Sequence, residues 1–162
     1  LTKKKALMIK INVITNNIQW FRYIKNPSNY FDRKLNKLNS KDNIFKKKNI
    51  FFTLLLSSDK EIKLLNKKFR KKNKVTDVLS FPFQTKPELK IKIKKEKEIY
   101  LGDIIINLNK IKNKKVLKFF KFEFDRLWIH GLVHLLGHEH KKDKDFFKMS
   151  QIEKKYFDIV NV

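Results

Sequence analysis

The sequence predicts an α+β fold, a single mixed α/β domain spanning residues 1–162. Three observations carry this reading. Apolar stretches of strand length are interspersed with amphipathic stretches of helix length, which is the order of a mixed domain. Ile50 to Leu56 is an apolar run interrupted only by Thr53, the pattern of a strand covered on both faces. Leu117 to Leu136 carries Phe120, Phe124, Leu127, Leu132 and Leu135 at helical spacing. With 162 residues the chain is long enough to enclose a hydrophobic core.

In chain order, residues 7–15 alternate loosely, with Ile9, Ile11 and Val13 on one side, and read as a strand. Residues 18–41 hold Ile18, Phe21, Tyr23, Leu35 and Leu38 around Pro27, which suggests helix broken by a loop. Lys46–Lys48 reads as a solvated turn before the Ile50–Leu56 strand. Ser58-Asp-Lys-Glu61 has the form of a capping box with Ser58 as N-cap. The helix behind it is expected to bury Ile62, Leu65 and Phe69 and to end near Arg70, with Lys71–Lys74 as a charged loop. Val78 to Phe83 is a short strand closed by Pro82, which belongs at a sheet edge or strand end. Residues 84–97 read as a lysine-rich loop, and Ile99 to Leu108 as a strand with Gly102 and Asp103 inside it. Asp143 to Ile159 is a final amphipathic helix whose aromatics, Phe146, Phe147, Tyr156 and Phe157, are expected in the core.

The chain has no cysteine, so disulfides are excluded and any metal must be held by nitrogen or oxygen. Leu1 to Thr15 is interrupted by Lys10 and Asn12 and makes a poor signal peptide, and no apolar run approaches a membrane span. The expectation is a soluble, cytoplasmic protein. A net charge of +24 and a pI of about 10.1 point toward a polyanionic partner such as RNA. A second explanation stands beside it. Only four of the 40 basic residues are arginine, and Lys, Asn, Ile and Phe all use codons rich in A and T. A genome biased toward those bases would raise the charge without selection for nucleic-acid binding. The same bias disfavours glycine, and the chain keeps only Gly102, Gly131 and Gly137.

All four histidines lie between His130 and His140. His130 and His134 share one helical face. Gly137 falls where a helix ends in a left-handed residue, so the chain can fold back and bring His140 to the same point. Three imidazoles around one ion with a fourth position open describe a catalytic zinc site. His138 is poorly placed to join them and is expected to line the cleft. Glu139 is either a hydrogen-bond partner of a ligand or exposed, and Asp77 and Asp103 are expected to organise turns and helix ends.

The H-x3-H-x2-G-x2-H spacing is that of metzincin peptidases, but their general-base glutamate follows the first histidine, and here that position is Gly131. Instead the segment His130-Gly131-x-x-His134-Leu135-x-Gly137-x-x-His140 resembles the signature of the YbeY family of endoribonucleases. Leu65-Asn66-Lys-Lys-Phe69-Arg70 followed by Val75-Thr76-Asp77-Val78-Leu79-Ser80-Phe81-Pro82, and Leu101-Gly102-Asp103-Ile104, are similar to two further family segments in the family order. Glu139 stands where the family usually has Asp, and residues 1–45 carry no resemblance.

The resemblance implies a small, mostly parallel mixed sheet of about four strands, packed with about five helices including a zincin-like metal helix. It implies one zinc per chain on His130, His134 and His140, and Arg70 as the catalytic or substrate-positioning arginine. It also implies a single-strand-specific endoribonuclease acting in 16S rRNA 3′-end maturation and ribosome quality control, with the small ribosomal subunit and other assembly proteins as partners. Guanidinium independently suits the Arg70 role, since it pairs with phosphate through two hydrogen bonds that lysine cannot reproduce. Two other classes remain open: a non-catalytic, zinc-stabilised ribosome-binding factor, and a metallopeptidase.

Overall fold

The computed structural model describes residues 9–41 and 48–162. Residues 7 and 8 of the first expected strand, and most of the lysine turn at 46–48, lie outside the described residues. Four strands, β1 (Ile9–Thr15), β2 (Asn49–Ser57), β3 (Val78–Pro82) and β4 (Glu98–Asn107), form one sheet in the order β1-β2-β4-β3. β1, β2 and β4 are parallel, and β3 runs antiparallel along the edge of β4. Pro82 closes that edge strand, where a missing N–H costs the ladder nothing.

Among the described residues five α-helices pack around the sheet: α1 (Pro27–Lys41), α2 (Asp59–Arg70), α3 (Lys86–Lys95), α4 (Leu117–Leu135) and α5 (Asp143–Asn161). Pro27 stands at the first position of α1, where its fixed φ suits the helix and no N–H is needed. A short 3-10 turn, Ile18–Arg22, precedes it and buries Trp20, whose Nε1 donates to the Ser57 carbonyl at 3.0 Å.

The main core lies on the face of the sheet covered by α1, α4 and α5. There Ile50, Phe52, Leu54 and Leu56 of β2 meet Phe31, Phe124, Trp128 and Leu132. α4 is tied to α1 by Asp125, which is fully buried and accepts from Tyr30 Oη at 2.7 Å, Lys34 Nζ at 2.8 Å and Trp128 Nε1 at 2.8 Å. A buried carboxylate is tolerable only when its oxygens are satisfied in this way.

The opposite face is covered only in part. α2 packs Ile62 against Leu79 and Ile105, with Leu55 and Leu65 around them, while Phe51 remains 39% exposed. The expectation that β2 is buried on both faces therefore holds at its C-terminal end alone. The expected Ser58 capping box is not formed: Ser58 occupies the N-cap, but its hydroxyl makes no capping bond and Glu61 accepts from Asn16 Nδ2 instead. Phe69 is exposed rather than buried, its ring resting 5.4 Å from that of Phe81.

The largest departure is at residues 84–97, read as a loop. Lys86–Lys95 is a helix, started by a capping box in which Thr85 Oγ1 accepts from Glu88 N and Glu88 accepts from Thr85 N. Pro87 in the first turn and Leu89 in the core complete the start. In α5, Met149, Tyr156 and Val160 are buried, but Phe146 and Phe147, near its start, face solvent; Phe147 lies on the side of the helix opposite Met149.

Candidate metal centre

α4 ends in a Schellman turn. Gly137 has φ +92°, its N–H donates to the His134 carbonyl at 2.9 Å, and the His138 N–H donates to the Val133 carbonyl at 3.3 Å. This reversal brings His140 back over the last turn of the helix. His130, His134 and His140 each offer a ring nitrogen, and these atoms lie within 4.8 Å of one another.

The tautomers follow from the partners. His130 Nδ1 lies 2.6 Å from Glu153 Oε1, and His134 Nδ1 lies 2.9 Å from the His138 carbonyl oxygen. Both oxygens accept, so both Nδ1 atoms donate, and in the neutral rings that can bind a metal both Nε2 atoms keep their lone pairs. Those two Nε2 atoms face each other at 3.1 Å. Two lone pairs at that distance repel unless a cation lies between them. Tetrahedral coordination at about 2.0–2.1 Å sets nitrogen ligands roughly 3.4 Å apart, so the pair suits a divalent ion after little adjustment. Burial, and then the neighbouring His130, hold the His134 pKa below its ordinary value, which favours the neutral, ligating form. Desolvation, and then Lys86 and Lys148, act likewise on His138.

Gly131 explains how α4 comes so close to the sheet. A Cβ there would lie 2.8 Å from Ile104 Cγ2 and 3.0 Å from Ile104 Cδ1. Gly102 serves the other side of β4: with φ +132° it lies so near β3 that a Cβ would meet the Phe81 carbonyl oxygen at 2.1 Å.

The trio lies between two cavities. A cleft of about 850 Å³ is lined by His134 and His140 together with Arg70, Ser80, Phe83 and Lys86. A second, of about 510 Å³, reaches His130 from the far side and is lined by Asp77, Arg126, Ser150, Glu153 and Lys154. Arg70 is steadied at the cleft wall, where a terminal nitrogen donates to the Ser80 carbonyl at 3.0 Å and the guanidinium lies 5.6 Å from the Phe81 ring.

His138 also lines the first cleft, outside the trio, and adds its backbone carbonyl as a support for His134. Glu139 is exposed and paired with Lys141 at 3.3 Å, so it holds no ligand ring. That task falls to Glu153, which sequence reasoning missed. The available signal was an acidic side chain one position from Ile152 on the inward side of α5, between Met149 and Tyr156. Asp77 accepts from the Val78 N–H and so organises the start of β3. Asp103 accepts from Tyr100 Oη on the sheet face rather than shaping a turn.

Three imidazoles gathered at the end of a helix that packs against a mostly parallel sheet define a candidate metal-centre protein of the α+β class. A family model described as endoribonuclease YbeY matches residues 12–161. The chain belongs to that family. It is similar to the endoribonuclease YbeY of Pelagibacter ubique, 46% identical over 149 residues, covering 90% of this chain and 92% of that protein. It is also similar to the Ehrlichia canis endoribonuclease YbeY, 33% identical over 157 residues, covering 96% and 94%. The solution structure of TM1509 from Thermotoga maritima shares the fold with a TM-score of 0.59 at 26% identity, covering 93% of this chain and 89% of that one.

Proposed function

We propose that residues 1–162 form one metal-dependent endoribonuclease domain that cuts single-stranded RNA, with one zinc ion held by His130, His134 and His140. The observation that carries this is the convergence of the three rings beside a cleft that Arg70 also lines, in a chain whose relatives are named endoribonucleases. When bound, the ion supplies Lewis acidity that lowers the pKa of a coordinated water toward neutrality. Glu153 and the His138 carbonyl keep each Nδ1 protonated and each Nε2 turned toward the shared point. Arg70 stabilises negative charge on the scissile phosphate through paired hydrogen bonds. Gly131 leaves the usual peptidase base position without a carboxylate, which weighs against proteolysis.

The reading extends to 16S rRNA 3′-end maturation and ribosome quality control, in the cytoplasm, with the small ribosomal subunit and other assembly proteins as partners. No helix among the described residues is long and apolar enough to cross a membrane. The test is incubation of pure, metal-replete protein with precursor rRNA beside the His134→Ala variant. Cleavage by the native protein and none by the variant is expected. Binding without cleavage by the metal-loaded protein would instead make it a zinc-stabilised ribosome-binding factor, and chelator-sensitive casein turnover would make it a peptidase.

A further inference from the structure

The face of the sheet that α2 leaves open carries a transverse row of side chains. Lys10 of β1 is in register with Phe51 of β2, and Phe51 with Tyr100 of β4. The Phe51 and Tyr100 rings lie 5.5 Å apart, and Phe83 continues the row 5.7 Å beyond Tyr100. Phe83 is 66% exposed and is also part of the wall of the histidine cleft, so the row runs from the cleft out onto the sheet.

This row differs from an ordinary apolar patch. Its central ring is held in place: Tyr100 Oη meets Thr53 Oγ1 at 2.8 Å and donates to Asp103, and Gln84 Nε2 donates to the Tyr100 carbonyl at 2.7 Å. Cations attend both ends, with Lys10 beside Phe51 and Lys92 Nζ lying 5.6 Å from the centre of the Phe83 ring. The next row across the face is polar: Asn12, Thr53 and Asp103. A protein partner needs a contiguous apolar core, which that row denies it. A single strand of nucleic acid needs flat rings for its bases and scattered positive charge for its phosphates, and both are here.

We propose that the row Lys10–Phe51–Tyr100–Phe83 is a stacking platform for the bases of single-stranded RNA running from the histidine cleft across the open face of the sheet. This rests on the endoribonuclease reading for the identity of the cleft's substrate. Phe83 takes the base nearest the cleft, and Tyr100 and Phe51 line the onward path, with Lys92 and Lys10 beside the phosphates. Because every base has a π face, the platform adds affinity without reading sequence.

The experiment is direct binding of an uncleavable 2′-O-methyl single strand of about 12 nucleotides, followed by fluorescence anisotropy. Phe51 is 39% exposed and lines neither cavity beside the histidines, so Phe51→Ala is expected to fold as the native chain does. It should weaken binding by roughly 5- to 100-fold, while Phe51→Tyr stays within about twofold because the ring remains. Trp20 and Trp128 are buried, so an indole introduced by Phe51→Trp is the exposed fluorophore and should be quenched by the strand. Native affinity in Phe51→Ala, or an unquenched indole in the bound complex, overturns the platform. So does a dimer that Phe51→Ala dissociates, which would assign the row to a second copy. A native protein that binds through this row yet never cuts precursor rRNA retires the nuclease reading and keeps the platform. One that cuts while Phe51→Ala binds normally retires the platform alone, and one that binds no single strand retires both.

Discussion

Glu153 on α5 reaches across the helix pair to His130 on α4, its Oε1 lying 2.6 Å from the imidazole Nδ1. The contact spans 23 positions of sequence and makes α5 part of the candidate metal centre, although α5 supplies none of the three ring nitrogens.

Glu153→Ala is therefore expected to lower zinc affinity about 10- to 100-fold with the fold intact, since partners that orient a ligand carry effects of that size. Competition against a chelator of known affinity measures it, with Glu153→Gln falling between. Unchanged affinity in the alanine variant would reduce the contact to a surface ion pair.

Arg70→Lys should retain zinc and thermal stability while losing most cleavage. Lysine keeps the charge but has no fork to span two phosphate oxygens. It also gives up the bond to the Ser80 carbonyl at the cleft wall. Single-turnover rates with and without the substitution decide the matter, and equal rates would remove Arg70 from the chemistry.

Gly131→Ala sets two effects against each other. Alanine favours a helix by about 1 kcal/mol over glycine. Against that, its Cβ would lie 2.8 Å from the Cγ2 of fully buried Ile104, a branched side chain with little room to turn. Overpacking of this kind costs about 1–3 kcal/mol, so the expected net loss is about 0–2 kcal/mol. Urea unfolding of Gly131→Ala, Ile104→Ala and the double variant should show a double loss smaller than the sum of the single ones. Strict additivity would mean that the helix does not press on Ile104.

Tyr30 provides an alkaline signature. Burial, and then the Asp125 carboxylate, raise its hydroxyl pKa far above the ordinary value of about 10. The folded state thus keeps the proton that the unfolded chain releases. Its stabilising contribution is complete below about pH 10 and declines as pH rises beyond it. Tyr30→Phe should cost about 1–3 kcal/mol at pH 7 by removing a donor to buried Asp125, and the deficit should shrink by pH 11. Urea curves of the two proteins at both pH values check this; a constant deficit would contradict it.

How much was legible depended on whether a signal was local. The Leu117–Leu136 periodicity, Gly137 and the histidine spacing are short-range features, and α4 with its Schellman turn follows them closely. The two capping-box motifs show where such signals stop. Ser58-x-x-Glu61 and Thr85-x-x-Glu88 have the same form, yet only the second closes, because Asn16 from another segment takes the Glu61 carboxylate. The segment after Thr85 hid its helix because it is rich in lysine and Leu89, Ile91 and Ile93 fall two apart, so no sustained apolar stripe of helical spacing forms, leaving the capping box and Pro87 as its clearest marks. Phe69, Phe146 and Phe147 were expected in the core from their spacing, yet all three remain exposed, Phe69 with only the edge-strand Phe81 ring beside it.

The order of residues was enough to determine the class of fold, the helix that carries His130 and His134, and the glycine that turns His140 back toward them, since backbone preference and side-chain periodicity act within a few positions. Only the tertiary structure decided that Glu153 supports His130, that Ile104 requires Gly131, and that Arg70 shares a wall with the histidines. Each of those depends on the distance between elements far apart in the chain, and that distance is set by how whole helices and strands pack together.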